Sequence, residues 1–233
     1  MVVVSDDGLE RPDPSAPVDR WWFEFCDQAA DAFGWVEFRH YPPLGLAHYS
    51  CAVTGFDRSL IVAVDDAITM RQPTRSLEFR NSGMWAHHVC EEPWERWTVG
   101  LEAFGVELDR PDDALEVHAR GRLVPLGLDL EWYATDAPEG SAQRCRVVGD
   151  LLLGPDVIEI DSSGWRGRSW ASPGPQVRGE RLSDDPLQQP HAPALTASVA
   201  GDNPGRWTHR RWVVEVDGSW GWFELGDDLA SWA

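Results

Sequence analysis

Lysine is missing from this chain: every one of its 20 basic side chains is arginine, set against 39 acidic ones, for a formal net charge of −19. Without lysine there is no Schiff-base amine, no pyridoxal-phosphate anchor and no P-loop lysine. The acidic balance argues against a nucleic-acid partner, whose phosphates need a basic footprint, and against adhesion to anionic membranes; it suits a monomer or small homo-oligomer. Cysteine is scarce and scattered, with four residues at 26, 51, 90 and 145 and no C-x-x-C pair. In a chain of this length they read as reduced thiols rather than a disulfide framework. No stretch approaches the ~18 consecutive apolar residues of a membrane span. "MVVVSDDGLERPDPSAPVDR" at the start lacks the basic stretch and sustained apolar run of a secretory leader, so a soluble, cytoplasmic protein is expected.

The usual catalytic signatures are also absent: G-x-S-x-G, H-E-x-x-H, G-x-G-x-x-G and the D-x-D-x-D-G calcium loop do not occur. No cofactor or metal is therefore expected. "MWAHHVCEE" (84 to 92) is the one dense cluster of potential metal ligands. On a strand, however, His87 and His88 point to opposite faces and do not readily share a zinc ion. A single inward histidine acting as hydrogen-bond donor or general base fits better, and His87 is the candidate. Long helical periodicity is missing too; only "CDQAADAF" and the final "DDLASWA" could form short helices.

What the chain does have is period two. "WTVGLEAF" places Trp97, Val99, Leu101 and Ala103 on one face, "ALEVHAR" does the same for Leu115, Val117 and Ala119, and "GLDLEWYA" for Leu128, Leu130 and Trp132. Hairpin signals stand at "GPD" (154 to 156) and "DG" (217 to 218). With 233 residues, 42% of them hydrophobic, the chain can close a real core. About fourteen strands are too many for one small barrel, so the expectation is an all-β fold of two antiparallel, barrel-like halves packed together. The expected divisions are an N-terminal extension (1 to 19), a first half (20 to 140) and a second half (141 to 233). The second half carries one long proline-rich loop at 172 to 195.

Aromatic composition is lopsided, with 14 tryptophans against three tyrosines and eight phenylalanines. Indoles make broad, rigid walls with an occasional N–H donor, which suits a cavity for an extended apolar ligand. The candidates for such walls are Trp22, Tyr49, Trp85, Trp97, Trp132 and Trp170, with Tyr133 as a hydrogen-bond donor and Glu24 as an acid. In "SSGWRGRSW" alternation projects Arg166, Arg168 and Trp170 from one side of a strand and Trp165 from the other, with Gly167 leaving a gap. Arginine beside indole suits a cation–π stack or the polar wall of an aromatic pocket.

Four places together resemble the carotenoid 1,2-hydratase (hydroxyneurosporene synthase) and AttH-like double-lipocalin superfamily, which also contains decalin-forming Diels–Alderases. They are "RWWFEF" followed by "GWVEFRHYPPLGLAHY", "EEPWERWTV", "GLDLEWYATDAP" and "GWRGRSW". The resemblance spans about residues 20 to 172 and implies two lipocalin-like halves around an apolar small molecule. Many members of that group carry Gly-x-Arg-Asp-His-Ser-Trp-Gly early in the second half. Gly164, Arg166, Ser169 and Trp170 match it, while Gly167 and Arg168 replace the aspartate and histidine. The acid–base pair that would protonate an alkene is thus absent. The resemblance then favours a cofactor-independent pericyclase, a Diels–Alderase-like cyclase of a linear polyene or polyketide in natural-product biosynthesis. The alternatives are an isoprenoid hydratase or isomerase and a non-catalytic carrier of an apolar molecule.

Overall fold

Alternating residues make strands here because one face of each is apolar, and a sheet with one apolar face is stable only when that face is enclosed. In this computed structural model the side chains described are those of 10–55, 57–65, 68–70, 76–81, 83–109, 120–138 and 142–169. The backbone is described in addition at 66–67 and at the strands 176–177, 194–199, 207–216 and 219–228. The ten strands of the first sheet are β1 (Asp19–Asp27), β2 (Ala32–Tyr41), β3 (Leu46–Thr54), β4 (Ile61–Thr69), β5 (Ser76–Asn81), β6 (Met84–Glu92), β7 (Arg96–Leu108), β8 (Gly121–Ala134), β9 (Ala142–Leu153) and β10 (Asp156–Ser169). A second sheet holds β11 (Gln176–Val177), β12 (Ala194–Val199), β13 (Trp207–Val216) and β14 (Ser219–Asp228), in the order β11-β14-β13-β12.

The first sheet closes on itself. β1 pairs with both β2 and β10, and Ile61 and Val62 of β4 pair with Glu107 and Val106 of β7, so eight strands form a ring. The N-terminal half of β7 carries the β5–β6 hairpin on the same edge instead. Every pairing in the sheet is antiparallel, and the fold is all-β and barrel-like. The division expected at residue 140 falls between two hydrogen-bonded strands of the ring, with Ala134 paired to Cys145 and Leu126 to Leu153. The change of sheet comes after Ser169. The long loop expected at 172 to 195 contains β11 and the start of β12.

Inside the ring lie Trp21, Phe23 and Phe25 of β1, with Val36 and Phe38 from β2 and Val99, Leu128, Leu130, Trp132 and Val147 from the far wall. The alternation read in "WTVGLEAF" and "GLDLEWYA" therefore marks the interior correctly; "ALEVHAR" lies outside the described residues. β1 and β2 are buried along their whole length, on both faces. β14 lies beside β1, and β12 beside β4.

One expected helix is corrected. "CDQAADAF" is the end of β1, a tight turn and the start of β2, in which Asp27 Oδ1 accepts the Ala30 N–H at 2.9 Å and Asp31 adopts φ 50°. Of "DDLASWA" only Asp227 and Asp228 are described, at the end of β14, where they pair with Thr208 and Trp207; the rest lies outside the described residues. The "GPD" hairpin turns between β9 and β10 with Gly154 at φ 60°, a conformation glycine adopts without strain. Val216 and Ser219 pair across the "DG" position.

Candidate functional site

Arg166 and Arg168 stand one pleat apart on β10 and share the interior face, since their partners on β1 are Phe23 and Trp21. Arg168 donates from Nε and Nη2 to the two carboxylate oxygens of Asp19, at 2.7 Å each, while its guanidinium lies 4.1 Å from the centre of the Trp21 ring. Arg166 donates from Nη1 to both oxygens of Glu10, at 3.1 and 2.9 Å. The Trp97 indole N–H donates to the same carboxylate, and the Cys90 thiol lies 3.7 Å from it. Trp21 and Trp97 pack against each other at 4.9 Å between ring centres, so the two ion pairs flank a pair of indoles. Trp165 faces the opposite way, paired with Glu24.

Beyond these pairs the interior turns aromatic. His88, on the same face of β6 as Cys90, has no solvent exposure and, among the described residues, no hydrogen-bond partner on either ring nitrogen. Phe23 lies 5.6 Å from its ring, Tyr49 5.5 Å and Phe38 6.4 Å. The Tyr49 hydroxyl is equally buried and equally without a partner, with Phe79 5.1 Å from its ring. Burial, with His87 a secondary influence, pushes the His88 imidazole down to about 3, and burial pushes the Tyr49 phenol well up. At neutral pH both are therefore uncharged hydrogen-bonding groups. A neutral imidazole has one N–H to donate and a phenol one O–H.

The residues proposed from the sequence separate into three groups. Tyr49, Trp97, Trp132 and Arg168 face the interior. Trp22 and Glu24 lie on the outer face of β1, which is also buried. Trp85, His87 and Tyr133 lie on the outside of the ring, where Trp85 and His87 stack at 6.1 Å and the exposed Tyr133 hydroxyl donates to Glu131. Trp170 is outside the described residues. The inward histidine is thus His88, because Met84, Ala86, His88 and Cys90 share the parity that faces the core. His87 and Tyr133 are corrected to outward positions.

Sequence reasoning missed Glu10, whose burial depends on an arginine 156 positions away. It also missed the buried polar row on the outer face of β1 to β3. There Arg20 donates through Nε and Nη2 to Glu37 Oε2, at 2.9 and 2.5 Å, and Arg39 donates to the other oxygen of Glu37. His48, paired across the strands with Arg39, is pushed down to about 4 by burial first and by the Arg39 charge second.

Residues 4–176 match the sequence profile of a domain of unknown function, DUF7064. The chain belongs to that family. The DUF7064 match runs from ahead of Glu10 through β10 and ends within β11, so it takes in the whole ring and the segment that delivers Glu10 to it. No curated protein matches the chain.

Proposed function

We propose that this DUF7064 protein is a cofactor-independent cyclase that folds a linear, apolar, polyunsaturated molecule inside the barrel, with a carbonyl of that molecule held by Tyr49 and His88. One observation carries the reading: two fully buried polar side chains, at ring distance from each other in an aromatic cage, with no hydrogen-bond partner among the described residues. A buried group left unsatisfied costs about 1–3 kcal/mol, and a ligand carbonyl placed between these two would accept from both. Hydrogen bonds of this kind polarise a dienophile, while the walls restrict the chain to a reactive conformer. In a [4+2] closure two π bonds become two σ bonds and no proton moves, so donors that stay neutral suffice.

The same geometry weighs against the hydratase alternative. Alkene hydration needs a proton donor, and the position where the resemblance to the AttH-like superfamily would put a histidine holds Arg168, engaged at both ends of the Asp19 carboxylate. A carrier would need no activated carbonyl. The test is to incubate the purified protein with extracts of a producer strain lacking its gene, in deuterated water. A new product of unchanged mass without carbon-bound deuterium supports the cyclase. Incorporation of solvent deuterium or a gain of water supports the hydratase or isomerase, and tight binding without conversion supports the carrier.

A further inference from the structure

Glu10 and Asp19 both bring a carboxylate to an inward arginine, but they are held differently. Asp19 belongs to β1 and is fixed by the ladder. Glu10 comes from an irregular strap, residues 10 to 18, that carries three prolines and buries only Glu10 and Ala16. The strap is also tied to the barrel by the Asp13 N–H, which donates to Asp19 Oδ2 at 2.8 Å. Glu10 itself is 3% exposed and ends against Arg166, Trp97 and Cys90. Arg166 is 4% exposed, and its Nε and Nη2 have no oxygen partner among the described residues although it presents a fork built for a planar anion. Cys145 is the nearby thiol, raised to about 12 by burial despite that charge. Two residues along β6 from Cys90, roughly 7 Å at the usual strand rise, lies His88.

We infer that the Arg166–Trp97 pocket is a carboxylate-binding site, occupied by Glu10 as an internal stand-in, and that the ligand of the barrel is a linear apolar acid whose head group displaces Glu10. The apolar tail then runs past Trp21 and Trp97 to Tyr49 and His88. This rests on the reading of the barrel as a site for an apolar molecule, and adds the chemical class of its head group. Displacement exchanges one carboxylate for another on the same arginine, so no buried charge is left unpaired, and the strap is freed because its principal anchor is gone.

The experiment compares parinaric acid, a conjugated fatty acid that fluoresces in apolar surroundings, with its methyl ester, on the full chain and on Glu10→Ala. The acid should bind Glu10→Ala at least tenfold more tightly than the unaltered protein, while ester affinity changes less than twofold. Because Glu10→Ala leaves Arg166 unpaired, its Tm should fall. Propionate at ~0.1 M should restore ~3–6 °C of that loss, whereas propionamide and chloride should not. Equal gains for acid and ester, or no rescue specific to propionate, would overturn the carboxylate site and leave the apolar barrel standing. Failure of both probes to bind any form would overturn both.

Discussion

Arg166 and Arg168 are chemically the same group, on the same strand, facing the same way, yet their surroundings differ. Arg168 is closed off by a carboxylate on the neighbouring strand and by the Trp21 face, so its partner can leave only if β1 leaves the sheet. Arg166 meets a carboxylate carried by a strap, through one of its nitrogens only. The difference separates a pair that builds the barrel from one that can open. A buried ion pair is costly to break in either case, because the remaining charge is stranded. The identity of what can replace the lost partner is what distinguishes them.

The largest effect should come from Arg168→Ala. It strands the fully buried Asp19 and removes the stack on Trp21, at a cost of about 3–5 kcal/mol. Calorimetry should show a steep drop in Tm that added carboxylates do not relieve; relief by propionate would erase the contrast with Arg166. Next come Tyr49→Phe and His88→Phe. Each removes an unsatisfied buried group, so stability should rise by ~1–2 kcal/mol. Turnover on the proposed substrate should fall about tenfold to two-hundredfold, the kinetic equivalent of ~1–3 kcal/mol. A variant destabilised and still fully active would remove the cage from the account.

Acid should act through the depressed histidines. His88 near 3 and His48 near 4 bind no proton in the folded protein at mild acidity, whereas both do so in the unfolded chain below its value of ~6.5. Stability is therefore unaffected by them above ~6.5. It falls as pH drops toward 4, by up to ~1.4 kcal/mol per pH unit for each, and from 4 to 3 through His88 alone. Chemical denaturation across this range should show the loss, and His88→Gln should reduce the slope. The smallest effect belongs to His87→Ala and Tyr133→Phe. Both side chains lie on the outside of the ring, so each change should stay within ~0.5 kcal/mol and leave binding unchanged.

The strands were legible because alternation is a local property, and so was the shared face of Arg166 and Arg168. Alternation fixes which residues are together, however, and not which set is inside. In "MWAHHVCEE" Trp85, His87 and Val89 look as suited to a core as Met84, Ala86 and His88. The small Ala86 and the thiol of Cys90 on the inner set were the available signal. On β1 the question has no local answer, since both "Trp21, Phe23, Phe25" and "Arg20, Trp22, Glu24" are buried. The outer set is covered through tertiary packing that no window of sequence contains. Glu10 was unreadable for the same reason, as a lone acid in a proline-rich start reads as solvated until its arginine is placed.

The proposed grip of Tyr49 and His88 on a carbonyl in the aromatic cage is read directly by absorption spectroscopy of a bound conjugated enone. Hydrogen bonding to the carbonyl shifts the enone band to the red. That shift is expected with the unaltered protein, and binding without the shift in the Tyr49→Phe, His88→Phe double variant. An unshifted band in the unaltered protein, or an equal shift in both proteins, would contradict it.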